Sequence, residues 1–233
     1  YDHYKDRYID GNLDSSTTTN TTSIDEEVST GTVAASLYAT DSDTSSFTFS
    51  LVNGNGTNDA DNSLFTISGN QLVVNGVIDY ETNPVINVYV QVSDGNSRFS
   101  KGLSLDVNDV NEAPTDIGLS ANAVDENLTS GTVVGGLSTT DADNGNTFTY
   151  TLVGGGSDND RFSISGANLV TAAVLDFETK NSYSVVIQTS DGSATYSETF
   201  TITVNDVNEA PTDIGLSANA VDENLTSGTV VGG

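Results

Sequence analysis

Residues Val107 to Gly136 read VNDVNEAPTDIGLSANAVDENLTSGTVVGG, and residues Val204 to Gly233 repeat that stretch without a change. The offset of 97 carries beyond the block: IDYE at Ile78–Glu81 returns as LDFE at Leu175–Glu178, and VSDG at Val92–Gly95 as TSDG at Thr189–Gly192. Upstream the offset is 100, with IDEE at Ile24–Glu27 becoming VDEN at Val124–Asn127 and DSD at Asp41–Asp43 becoming DAD at Asp141–Asp143. Fixed-period self-similarity marks tandem modules. Residues 1–22 lie outside the repeat, 23–111 form a first repeat, 112–208 a second, and 209–233 read as the truncated start of a third.

Within each repeat the apolar residues alternate. Phe148, Tyr150 and Leu152 are separated by threonines, and Phe47, Phe49 and Leu51 have the same spacing one repeat earlier. Tyr183, Val185 and Ile187, then Phe200, Ile202 and Val204, continue the period of two that turns one strand face inward and the other to water. Asp-Gly, Asn-Gly and Gly-Gly turns punctuate these runs. About seven short strands in roughly 100 residues is the immunoglobulin-like, Greek-key sandwich pattern, so the fold class is all-β, built of tandem sandwiches.

Composition narrows the function. Thirty-three acidic residues face 6 basic ones, a net charge of −27. Phosphate binding needs clustered Lys and Arg, so nucleic acid is excluded as a partner. The chain has no Cys, so disulfides cannot stiffen it, and no apolar run is long enough to cross a membrane. The single histidine, His3, falls in the unrepeated segment, and no nucleophile motif is present, which argues against an enzyme. Paired acids such as Asp79 and Glu81 could imitate a glycosidase pair, but their recurrence beside a linker favours ligand duty.

The acids occur in ordered motifs. The second repeat has Asp125-Glu126-Asn127, Asp141-Ala142-Asp143, Leu175-Asp176-Phe177-Glu178, Ser190-Asp191-Gly192 and a closing Asp206-Val207-Asn208-Glu209-Ala210-Pro211. This resembles the cadherin repeat, with its xEN, DxD, LDxE, AxD and DxNDNxP motifs in that order, and is most similar to the bacterial cadherin-like variety. The resemblance covers about residues 23–233. It implies Ca2+ at the joints between consecutive repeats, and a secreted or cell-surface, bacterial protein.

Carried over position by position, the resemblance implies one complete joint. Its ligands would be Glu26, Asp79 and Glu81; Asp109, Asn111 and Glu112 with the Val110 and Ala113 carbonyls; and Asp141, Asp143 and Asp191. Glu126, Asp176, Glu178, Asp206, Asn208 and Glu209 would form part of a C-terminal joint, and Asp41, Asp43 and Asp94 part of an N-terminal one. The linker departs from the pattern, since Glu112 stands where the family has Asp and Ala113 where it has Asn. The chemistry agrees independently: Ca2+ takes six to eight oxygens, and carboxylates this dense repel one another without a cation. The resemblance implies a calcium-stiffened adhesion or scaffold rod whose partners are neighbouring repeats and, in other readings, another copy of itself or cell-surface glycans.

Two alternatives stand beside it: a calcium-dependent carbohydrate-binding module, and a subunit of an extracellular fibre assembled by strand addition at an unfinished third repeat. Asp10, Asn12 and Asp14 have the spacing that opens an EF-hand loop, but without its Gly and closing Glu a turn is the better reading.

Overall fold

A computed structural model describes residues 23–41, 44–155 and 157–231. The expectations attached to residues 1–22 and to Asp43 therefore lie outside the described residues. The chain divides into two units. One runs up to Thr115 and includes Asp141–Thr147 and Asp191–Ala194; the other holds Asp116–Thr140, Phe148–Ser190 and the residues from Thr195 on.

The first unit contains a sandwich of seven strands among its described residues: β1 (Ser23–Asp25), β2 (Val33–Ser36), β3 (Thr48–Leu51), β4 (Phe65–Ser68), β5 (Gln71–Val74), β6 (Val85–Ser93) and β7 (Arg98–Asn108). One sheet has the order β1-β7-β6-β3 and the other β2-β5-β4. Only the pairing of β1 with β7 is parallel; the others are antiparallel. The period of two in the sequence becomes burial in β6, where Ile86, Val88, Val90 and Val92 turn inward and the residues between them do not. Ile86, Val88 and Val90 meet Leu72, Val74, Leu103, Leu105 and Phe65 in one apolar core. Each fully buried Val, Leu or Ile stabilises the fold by about 1.5–3 kcal/mol before the loss of chain entropy is counted.

The second unit follows the same plan with eight strands among its described residues: β8 (Asp116–Leu119), β9 (Ala123–Asp125), β10 (Val133–Thr140), β11 (Thr149–Leu152), β12 (Phe162–Ser165), β13 (Asn168–Thr171), β14 (Ser182–Ser190) and β15 (Thr195–Asn205). The sheets are β9-β15-β14-β11 and β8-β10-β13-β12, and β9 runs parallel to β15. Tyr183, Val185 and Ile187 of β14 are buried against Ile202 and Val204 of β15, as the alternation requires. Phe162 meets the Tyr183 ring edge-on, with centroids 5.7 Å apart.

Among the described residues, the eighth strand is the difference between the sandwiches. β8 pairs with the second half of β10, Leu119 opposite Leu137 and Asp116 opposite Thr140, and no strand among the described residues of the first sandwich corresponds to it. The seat for β8 depends on Gly135: a Cβ there would run into the Ala121 carbonyl and come 2.8 Å from the Ala121 nitrogen. The equivalent residue in β2 is the fully buried Ala35. Residues 206–231 carry no strand, and Ile214, identical in local sequence to the buried Ile117, is 93% exposed.

Candidate metal centre

Glu26 anchors the first acid cluster. It follows β1 directly and is buried, although charged. Its Oε2 accepts the Tyr80 N–H and its Oε1 the Val110 N–H, each at 2.7 Å. One carboxylate thus ties the 78–81 turn to the residues after β7. Asp79 caps that turn, accepting the Thr82 N–H at 3.0 Å and the Thr82 hydroxyl at 2.8 Å. These bonds hold its carboxyl below its ordinary range, the Thr82 N–H contributing most. Glu26, Asp79 and Glu81 bring oxygens within 4.8 Å of one another.

The linker and two later loops complete the cluster inside the same unit. The Glu112 N–H donates to Asp143 Oδ2 at 3.0 Å, and Asn111 Nδ2 donates to Asp191 Oδ2 at 3.1 Å. Asp143 is itself set by its N–H to Asp141 Oδ1, while Asp191 Oδ1 accepts the Ser193 and Ala194 N–H groups of its turn. Glu81, Glu112 and Asp143 form a second group with oxygens within 4.8 Å. Ala113 lies in this linker beside the buried Pro114, and Val110 enters through its N–H.

The electrostatics of this cluster are adverse without a counter-charge. Desolvation, then the charges of Glu26, Asp143, Glu81 and Glu27, push the Glu112 carboxyl up to about 7. Desolvation also raises Asp109, with Asp143 and Glu26 adding to it. It is also the largest cause of the raised Glu81 carboxyl, where the Glu81 backbone N–H opposes it and the charges of Glu26, Asp109 and Asp143 add to it. Two oxygens, Glu112 Oε2 and Asp141 Oδ2, are buried with no hydrogen-bond partner. A buried acceptor without a donor is costly, and an all-oxygen, acid-dense set with open lone pairs suits a hard divalent cation.

The second unit repeats the arrangement. Buried Glu126 accepts the Phe177 and Val207 N–H groups, both at 2.8 Å. Asp176 caps its turn through the Thr179 hydroxyl and N–H. Glu126, Glu178, Asp206 and Glu209 bring oxygens within 4.8 Å of one another. Asn208 turns its amide to the Glu209 carbonyl at 3.2 Å. The Glu178 backbone N–H lowers the Glu178 carboxyl, but desolvation and the charges of Glu126, Glu209 and Asp206 leave it raised overall.

Asp41 and Asp94 join none of these groups among the described residues, although Asp94 caps its turn through the Asn96 and Ser97 N–H groups much as Asp191 does. Two structural acids lie outside the motifs. Asp61 accepts the Asn83 amide and the Asn87 N–H, and Asp158 accepts Lys180 and the Ser184 N–H, with the Lys180 ammonium 4.9 Å from the Tyr183 ring centre. Neither carries a motif signal; their role depends on a loop folding back onto β6 or β14.

The family model of the cadherin domain matches residues 121–205. These residues are similar to a cadherin domain. Human protocadherin Fat 4 is 32% identical over 174 residues, covering 69% of this chain and 4% of that protein. The chain therefore spans a small part of that relative. The structure of human protocadherin-24 EC1-2 superposes with a TM-score of 0.62 at 20% identity, covering 78% of this chain and 93% of that one. Mouse cadherin-23 EC22-24 gives 0.58 at 24% identity, covering 79% and 62%. The architecture is thus two cadherin-like β-sandwiches in tandem, and cadherin repeats are extracellular, non-enzymatic domains. The bacterial variety expected from the sequence draws no support from these likenesses.

Proposed function

We propose that this chain is a calcium-dependent segment of an extracellular adhesion or scaffold array, in which the cation fixes consecutive repeats in one relation to each other. The observation that carries the reading is the orphaned pair of buried oxygens, Glu112 Oε2 and Asp141 Oδ2, set among acids from five separate stretches of sequence. The proposed donors are Glu26, Asp79, Glu81, Asp109, Asn111, Glu112, Asp141, Asp143 and Asp191, with the Val110 and Ala113 carbonyls. Bound there, Ca2+ would supply the positive charge that these carboxylates lack. The chain's own part is to hold the ligands: Glu26 and Asp79 are fixed by backbone N–H groups, and Asn111 and Glu112 reach Asp191 and Asp143. Because Asp141, Asp143 and Asp191 belong to the second sequence repeat and Glu26, Asp79 and Glu81 to the first, shared coordination would convert a short Pro-containing linker from a hinge into a fixed connection.

A calcium titration tests this. Free Ca2+ at 100 times its dissociation constant stabilises the fold by about 2.7 kcal/mol, a rise of roughly 10 °C in Tm for a domain of this size. Small-angle scattering should show a narrower distribution of particle lengths on passing from chelator to millimolar calcium. The proposal fails if neither melting temperature nor scattering responds to calcium.

A further inference from the structure

Four Asn-Gly pairs occur in the chain: Asn53-Gly54, Asn55-Gly56, Asn75-Gly76 and Asn144-Gly145. Such a pair can close on itself, because the glycine nitrogen is within reach of the asparagine side-chain carbon and glycine has no side chain to obstruct the approach. Attack needs that nitrogen free to turn and to give up its proton. In three of the pairs it is held. Asp59 holds the first two: the Gly54 N–H donates to Oδ2 and the Gly56 N–H to Oδ1, each at 2.7 Å. Those bonds keep the Asp59 carboxyl below its ordinary range, the Gly54 N–H contributing most, so it is a poor base for removing the protons it accepts. The Gly76 N–H donates to the Leu64 carbonyl at 3.1 Å, and the Leu64 side chain crowds the place where a Gly76 Cβ would stand.

Gly145 is the exception. Among the described residues no hydrogen bond holds its N–H. The bonds of that turn fall on either side, from the Asp143 N–H to Asp141 Oδ1 at 3.0 Å and from the Asn146 amide to Asp143 Oδ2 at 3.4 Å. Asn144 and Gly145 are both exposed, and nothing lies within 4 Å of where a Gly145 Cβ would stand. Water and the attacking nitrogen therefore both have access.

We propose that Asn144 is a modification site, at which the chain deamidates spontaneously with water as the only co-reactant, and that the other three Asn-Gly pairs are protected by their held glycine N–H groups. The Gly145 nitrogen bonds to Asn144 Cγ; its proton passes through water to the side-chain nitrogen, which leaves as ammonia. Water then opens the cyclic imide at either carbonyl, giving an aspartate or its β-linked isomer. Both products put a new carboxylate beside Asp143, whose Oδ2 accepts the Glu112 N–H, and the β-linked form also lengthens the backbone there by a CH2 group. The loop that carries Asp141 and Asp143 thus has a one-way route to a different charge and shape. The reaction does not depend on the calcium reading.

Peptide mapping by mass spectrometry tests this on the whole chain, stored in metal-free, mildly alkaline buffer, with enzymatic methylation of β-linked aspartate as a second readout. A hydrogen bond that must break before attack slows it, so Asn53, Asn55 and Asn75 should deamidate about tenfold more slowly than Asn144. D59A should raise the rates at Asn53 and Asn55 about tenfold and leave Asn144 as it was. In concentrated urea the four rates should draw together, since the fold and not the dipeptide sets their order. An Asn144 rate no faster than that of Asn75 in the folded chain overturns the inference, and so does an order that persists in urea. Rates at Asn53 and Asn55 that stay the same or fall in D59A also overturn it, since Asp59 would then be idle or a base rather than a guard. If D59A does not fold, the comparison of folded chain with urea decides alone.

Discussion

Replacing Glu126 with Gln separates the structural duty of this acid from any metal. Its carboxylate is buried and accepts two backbone N–H groups, Phe177 and Val207, at 2.8 Å each. The amide of the E126Q variant can satisfy one of them with its carbonyl oxygen, and its NH2 group then faces the other donor. The change removes a charge-assisted bond and strands a buried N–H, each worth about 1–3 kcal/mol, so a loss of about 3 kcal/mol is expected in chelator. That is a large share of the roughly 5–10 kcal/mol that holds a domain of this size. With a urea slope of roughly 1–1.5 kcal/mol per molar, the midpoint should fall by about 2 M. Hydrogen exchange of peptides from Ser182–Asn205, followed through a urea series with chelator present, reports on the second sandwich alone. Glu178 belongs to the same acid group but is exposed and raised in pKa by its neighbours, so E178Q should leave the chelator midpoint unchanged or slightly higher. Equal midpoints for E126Q and E178Q would refute the claim that Glu126 is a structural clasp as well as a candidate ligand.

Two other outcomes follow from the geometry. In chelator, the Glu112 carboxyl titrates near 7 in the fold against 4.5 in its ordinary state, so the folded chain binds more protons in that window and the contribution of this group is lost as pH rises from about 4.5 to 7. The drop in urea midpoint between about pH 5 and pH 7.5 should therefore be smaller in E112Q than in wild type; identical drops would show that Glu112 does not hold a proton. Gly135→Ala should destabilise the second sandwich by about 1–3 kcal/mol, since the new methyl meets Ala121 backbone rather than a movable side chain. A melting curve indistinguishable from wild type would mean β8 shifts to make room.

The fold was readable because both strand periodicity and the 97-residue repeat were explicit in the letters. Alternating residues such as Val185 and Ile187 are buried by necessity, whatever their partners. Most of the acid clusters were equally readable, since Glu126, Glu178, Asp206 and Glu209 come together as their motifs suggested. What escaped were properties of distance rather than pattern. That Glu26 and Glu126 are hydrogen-bonded by backbone N–H groups depends on the approach of residues about 50 and 80 positions away. The duty of Asp158 could not be found from sequence either, because its lysine partner has no counterpart in the first repeat, where Asn83 reaches Asp61.

The residue facing β8 has a bearing on how such a chain avoids folding wrongly. Identical neighbours are hazardous, since a strand from one can be captured by another while both are still forming. Here the sequence TDIGLSA occurs at Thr115–Ala121 and again at Thr212–Ala218, so two interchangeable strands compete for any compatible edge. β10 admits one through Gly135, while β2, with the same bulged pairing to its neighbour, carries the side chain of Ala35 at that point. A strand seated as β8 is on β10 would therefore meet the Ala35 methyl at the point where Gly135 leaves room.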